Sequence, residues 1–308
     1  MKMTNFLMML CGCMAFNLAV HAQNTAGTDS TGLPGDNFSL QGALEMFKKA
    51  GSPEEFEKLI NSEDNSVNNL DLNGDGETDY IRVIDRSDKD AHAFVLQVAV
   101  SANENQDIAV IEIEKTGEAK AVLQIIGDED LYGEEVIVEP AGNEDDKTYI
   151  EDDTEEVASG PYSPEPSFHT QGIVVNVWFW PSVRFIYAPV YRPWISPYRW
   201  SYYPNWWKPW RPFAWHVYHP RVFRYRQPYV VVHTHRVVRA HNVYRPARVT
   251  SVSVRTRNTV AVNNYRVTHK RTTVTGPRGN SVNRKTTTVR GRNGNVKARS
   301  TRVKRGRN

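Results

Sequence analysis

Cysteine is nearly absent from this chain of 308 residues: Cys11 and Cys13 are the only two, and both fall in the first 22 residues. Beyond that point a disulfide scaffold, a cysteine nucleophile and a cysteine-ligated zinc site are all excluded. Acidic side chains are missing from the whole C-terminal part, because the 35 Asp and Glu lie at or before Glu165. Ten Lys and Arg share that first part, which therefore carries a net −25, and the other 28 stand beyond it against no carboxylate side chain. The overall +3 is a cancellation. Such a partition predicts that the C-terminal part meets a polyanion or an acidic surface, its own N-terminal half included. After the first 22 residues there is also no run approaching the roughly 20 apolar residues that a membrane-spanning helix needs, so no transmembrane helix is expected there.

Met1 to Ala22 has the parts of a secretory signal: Lys2 as the charged end, an apolar run from Phe6 to Leu10 continuing through Met14 to Val20, and Val20-His21-Ala22 as a small-residue cleavage site. The expected location is outside the cytoplasm: periplasm, outer-membrane surface or extracellular space. Leu10-Cys11-Gly12-Cys13 offers a lipoprotein alternative with Cys13 acylated. Residues 23–38, rich in Thr, Gly, Ser and Asn, read as a flexible leader.

An α+β domain is expected over residues 39–140. Ser39 caps a helix with Leu40, Ala43, Leu44 and Phe47 at helical spacing, and Ser52-Pro53-Glu54-Glu55 opens a second with Phe56, Leu59 and Ile60 inward. The period then changes to two, giving five strand candidates at Tyr80–Asp85, His92–Ser101, Ile108–Lys115, Ala119–Ile126 and Glu135–Glu139. Apolar residues on both sides of the second place it inside the sheet. Short connections predict two short helices packed on an antiparallel β-meander.

Between the helices and the first strand lies Asp71-Leu72-Asn73-Gly74-Asp75-Gly76-Glu77-Thr78-Asp79. Side-chain oxygens recur at Asp71, Asn73, Asp75 and Asp79, the Glu77 carbonyl falls where such loops use backbone, and Gly76 stands at the sharp turn. The candidate ligand is Ca2+, held as a structural staple by Asp71, Asn73, Asp75, Glu77 and Asp79. The alternative is a polar turn that binds nothing. The loop resembles an EF-hand, but the twelfth position is Arg82 and a strand follows. It is more similar to the calcium loops of FG-GAP and VCBS propeller repeats, which lead directly into a strand. With a single copy present, the resemblance implies the metal loop and not a propeller. Tyr80-Ile81-Arg82-Val83, Leu96-Gln97-Val98-Ala99-Val100-Ser101 and Gly127-Asp128-Glu129-Asp130-Leu131-Tyr132-Gly133 are similar to phrases of an uncharacterised family of secreted Bacteroidota proteins. That likeness implies a lineage and a compartment, not an activity.

Residues 141–171 read as an acidic, Pro-rich linker. Residues 172–228 hold all eight tryptophans, interleaved with tyrosine and proline, and are similar in composition to Tyr/Pro/Trp-rich segments of envelope proteins. Residues 229–308 are basic and rich in Val, Thr, Arg and Asn, with Gly276, Gly291 and Gly306 recurring every 15 residues. Such a tail cannot build a core of its own and is expected to be largely disordered, or to form thin hairpins. Together the aromatic and basic segments suit an anionic partner: lipopolysaccharide, an acidic glycan or extracellular DNA. The alternative is that the aromatics pack on each other or on the first domain.

His216, His219, His233, His235 and His241 have metal-ligand spacing, but no carboxylate lies near them in sequence and Arg236 and Arg239 flank them. Glu112 and Glu114 alternate along one strand and are expected to line a solvated face. His92 is expected to be a strand-end residue. No nucleophile elbow, phosphate loop or zincin helix is present. The expected function is therefore an exported, non-enzymatic envelope or surface binding protein, and the alternative is an envelope hydrolase or its accessory subunit.

Overall fold

The computed structural model describes residues 30–142, 147–149, 173–265, 267–275, 281–290 and 296–306. The expected signal at 1–22, and most of the expected linker, lie outside the described residues. Helix α1 (Leu40–Lys49) starts where the Ser39 hydroxyl accepts from Gly42 N at 3.0 Å. Helix α2 (Pro53–Ile60) is capped by Ser52, which accepts from Glu55 N at 3.1 Å, with proline at its first position. Both bury one apolar stripe. Phe47 meets Phe56 edge-on at 5.2 Å and leans on Phe94 at 5.4 Å.

Strands β1 (Ile81–Asp88), β2 (Ala91–Ala99), β3 (Asn105–Gly117) and β4 (Lys120–Gly127), helix α3 (Glu129–Tyr132) and β5 (Val136–Pro140) follow. The expected α+β class and the five-strand antiparallel meander are found, with β2 interior and buried throughout. Tyr132 lies between two glycines: a Cβ on Gly35 or Gly127 would sit 2.5 or 2.7 Å from its ring, so both positions require glycine.

The C-terminal half departs from expectation. After β6 (Lys147–Tyr149) and β7 (Ile173–Val175), which pair with each other, come α4 (Pro181–Ile186), α5 (Trp215–Phe223) and β8 (Tyr229–Val232). Strand β8 extends the sheet to the order β1-β2-β3-β4-β5-β8. At the other edge, Trp194 O accepts from Asp85 N at 2.7 Å and Ser196 N donates to Val83 O at 3.0 Å. Both edges of the meander, which would otherwise offer open backbone to other chains, are thus covered by later sequence. Between 187 and 214, where the prolines cluster, no helix forms.

Helices α6 (Val238–Tyr244) and α7 (Val252–Asn264) follow. They correct the expectation of disorder for residues 229–265. Tyr244 packs with Ala93, Val95, Val110, Ile126 and Ile137 on the sheet face opposite α1 and α2, while Val237 and Ala240 meet Ala91. The main core takes residues from Phe38 to Val254, so boundaries at 140 and 172 do not divide it. The leader expected to run to residue 38 also contributes, since Leu33 and Phe38 are buried. Beyond α7, the backbones of β9 (Val267–Thr275), β10 (Ser281–Arg290) and β11 (Val296–Gly306) form a three-stranded antiparallel sheet, the hairpin form considered for the repeat. Among the described residues no helix is long and apolar enough to cross a membrane.

Candidate functional site

The acidic loop hangs between α2 and β1 on a base of asparagines. Asn61 exchanges both hydrogen bonds with the Ile81 backbone at 2.6 and 2.8 Å, and Asn68 donates to Asp79 O at 2.7 Å. Within the loop, Asp71 accepts from Gly74 N at 2.6 Å and from Gly76 N at 2.9 Å. Asp75 accepts from Glu77 N at 2.8 Å and from the Asn73 amide at 2.8 Å. Positive φ at Gly74 (81°) and Gly76 (85°) makes these turns possible. Asp79 is buried and accepts from Leu72 N at 2.5 Å. Burial, with Asp71 and Asp75 close by, pushes its carboxyl up to about 7. Glu77 is exposed. Arg257 of α7 donates to Leu72 O, and Thr78 is tied to Trp210 O at 2.8 Å through its backbone, so both C-terminal segments touch this loop.

The second constellation was not legible in the sequence. Glu112 and Glu114, expected to face solvent, are buried, because the tail lies over that face of the sheet. Glu114 receives Arg239 Nε at 2.9 Å and the backbone N–H groups of Arg239 and Ala240 at 2.6 and 3.2 Å. Glu139 is held by the Gln124 amide at 2.9 Å and Arg236 Nε at 3.3 Å. Asp128 receives Arg248 through two nitrogens at 2.6 and 3.0 Å, and that carboxylate holds the guanidinium above its usual range. Asp107 accepts from Gln97, Tyr244 and Val249 N.

Glu112 differs from these. Its Oε2 lies 2.9 Å from His235 Nε2 and its Oε1 2.9 Å from His241 Nδ1, with the two imidazole centroids 4.1 Å apart. The hydrogen bond to Glu112 raises the His235 imidazole above its ordinary range. The lack of a local carboxylate, held against these histidines from their neighbours in sequence, is corrected by the fold: β3 supplies one from 123 residues upstream. Among the described residues this trio is the group of three Asp, Glu, His or Cys whose ligand atoms all lie within 4.8 Å of one another. The acidic loop does not bring three carboxylates that close. His219 pairs instead with Arg226 at 2.8 Å, and burial lowers its imidazole.

Two further buried acids join segments distant in sequence. Glu57 of α2 accepts from Tyr80 OH, Val83 N, Ser196 Oγ and Trp194 Nε1 at 2.7, 2.8, 2.8 and 3.2 Å. Burial raises its carboxyl, and those four neutral donors pull it back only in part. Asp85 accepts from Tyr191 OH at 2.7 Å and lies 3.0 Å from His92 Nδ1, so His92 is a buried anchor at the strand end. A cleft lined by Asp36, Gln41, Trp215, Tyr218, His219 and Arg226 has about 10 Å³ of room, enough for one water.

No family model matches this chain, and no curated protein or solved structure matches it.

Proposed function

We propose that this chain is an exported, non-enzymatic envelope or surface binding protein. In it a calcium ion at Asp71, Asn73, Asp75, Glu77 and Asp79 staples the helices to the first strand, and a cationic aromatic surface holds an anionic polymer. The observation that carries the binding role is the division of labour among the arginines. Arg236, Arg239, Arg248 and Arg255 are spent on the protein's own carboxylates. Arg192, Arg199, Lys208, Arg211 and Arg221 are exposed and form no ion pair among the described residues. Several cations sit over rings: Arg199 is 4.9 Å from Tyr202, Lys58 5.7 Å from Trp206 and Arg221 4.1 Å from Phe213. Tyr202, Trp206 and Phe223 are themselves exposed. Rings that stack on sugars or bases, beside unspent guanidinium groups, suit phosphorylated or carboxylated polymers such as lipopolysaccharide, acidic glycan or extracellular DNA.

Calcium is supported by the oxygens at alternate positions, Asp71, Asn73, Asp75 and Asp79, and by the positive φ of Gly74 and Gly76 that curls the loop. Titration of the full chain is expected to show calcium uptake that Asp75→Ala abolishes; no heat and no thermal shift in millimolar calcium would remove the loop from the account. Retention on dextran sulfate, but not on neutral dextran, should weaken steeply with salt and fall again in a Trp206→Ala, Arg199→Ala, Arg211→Ala variant. Equal retention by that variant would locate binding elsewhere.

A further inference from the structure

We propose that Glu112, His235 and His241 form a site for a divalent transition ion of the zinc type, distinct from the acidic loop and independent of the calcium reading. Four observations carry it. The ligand atoms are of the right kinds, two imidazole nitrogens and one carboxylate oxygen, and they lie within 4.8 Å of one another. Four-coordinate zinc with bonds of about 2.1 Å spaces its ligand atoms roughly 3.4 Å apart. Each imidazole already lies 2.9 Å from one of the two Glu112 oxygens, and the three ligand atoms lie within 4.8 Å, so small ring rotations and loss of the two bridging protons are all that binding asks.

The ligands also come from three segments, two of them regular elements. Glu112 stands in the middle of β3, flanked across the sheet by Ala93 on β2 and Gln124 on β4. His235 follows β8, and His241 lies on α6, itself pinned by Ala240 N to Glu114 at 3.2 Å. The pairing pattern singles this acid out. Glu114, Glu139 and Asp128 each receive an arginine, which repels metal, whereas Glu112, with a fully buried side chain, receives only imidazoles. Arginine would neutralise Glu112 as well as it does its neighbours; two histidines supply what arginine cannot, a lone pair for a metal.

Access is present too. The side chains of His235 and His241 keep 23% and 15% exposure, so an ion can enter from the tail side and keep a fourth position for solvent or a small anion. Arg236 and Arg239, the cations that flank these histidines in sequence, are turned onto Glu139 and Glu114. Bound metal would tie β3, the segment after β8 and α6 together, locking the basic layer onto the sheet.

The test uses the untagged full chain, saturated with calcium so that the acidic loop does not contribute. Titration with zinc alone should show one equivalent bound and a rise in the thermal midpoint. Cobalt(II) alone should give the intense visible bands of a four-coordinate N/O site. His235→Ala and His241→Ala should each weaken zinc by at least about tenfold, the loss seen even for groups that merely support metal ligands. The exposed His216→Ala should leave binding unchanged. Should either alanine variant fail to fold, Glu112→Gln, which keeps the shape and removes the charge, must show the same loss. Absence of zinc uptake by the wild-type chain, or uptake that survives loss of His235, His241 and the Glu112 charge, would overturn the site. Loss of calcium binding by Asp75→Ala with zinc uptake retained would show that the two sites stand apart.

Discussion

On one face of the sheet, Phe47, Phe56 and Phe94 meet beneath helices that immediately precede the strands. On the other, Glu112, Glu114 and Glu139 meet imidazole and guanidinium groups that arrive from 97 to 129 residues further along the chain. The first face is held by apolar contact, which is non-directional and indifferent to partner identity as long as volume is kept. The second mixes a small apolar patch around Tyr244 with charges that have been taken out of water. Each such charge costs free energy unless its particular partner is in place, so that face specifies a register more than it adds stability. A −25 half and a +28 half in one chain therefore need not signal an external polyanion for every arginine.

Substitutions should separate the faces. Phe47→Ala removes a fully buried ring from the junction of α1, α2 and β2 and should cost about 3–5 kcal/mol in denaturant unfolding, the largest effect expected. Arg248→Ala leaves the buried Asp128 with only backbone and amide donors. Complete loss of a buried ionic partner costs about 3–5 kcal/mol. Because a quarter of the Arg248 side chain is exposed, water can replace part of what is lost, and roughly 2–3 kcal/mol is expected. Adding Asp128→Asn should return much of it. The same rescue logic has no counterpart at Phe47, where only volume restores stability.

The first face was legible because its signals are local. Ser39 and Ser52 mark helix starts, and alternation from Tyr80 to Glu139 marks strands whose partners come next in sequence. The second was not, since a glutamate at every other position of a strand looks the same whether water or a distant arginine covers it. Glu112 and Glu114 carried no local mark of burial. The available hints were the charge partition and the Val230-Val231-Val232 run, which β5 pairs with. The acidic loop was legible as a loop, with its glycines in the left-handed region and its Asx turns; Arg257 leaning on Leu72 was not. Low apolar content across residues 229–308 rules out an independent core, but residues 237–254 borrow the core of the sheet.

Glu57 is a buried acid on the apolar side, and pH should expose it. Its folded-state carboxyl is raised above the ordinary 4.5 by burial, so the folded chain holds this proton more tightly than the unfolded one. Its contribution is then greatest below 4.5 and is lost as pH rises through the raised value. In Glu57→Gln the amide oxygen can still accept from Val83 N and Trp194 Nε1, while the Tyr80 and Ser196 hydroxyls can turn to accept from the amide nitrogen. The variant should be less stable than wild type by about 1 kcal/mol near pH 4. That gap should close or reverse towards neutrality. A gap that widens with pH would mean the carboxylate is favoured as an ion, making this site resemble the opposite face.

The smallest effect should come from Arg239, and salt should set it apart from Arg248. Its side chain is 55% exposed, and Glu114 keeps the backbone N–H groups of residues 239 and 240 when the guanidinium is removed. No buried charge is orphaned, so Arg239→Ala should cost less than about 1 kcal/mol at low salt. At 1 M salt, where screening acts over about 3 Å, the difference from wild type should vanish. The Arg248→Ala deficit should persist under the same conditions, because Asp128 is shielded from counterions by the protein around it. If both deficits disappeared together, the basic layer would be held as a screened surface attraction along its whole length, and the contrast between an inner row of buried pairs and a solvent-facing rim would have to be abandoned.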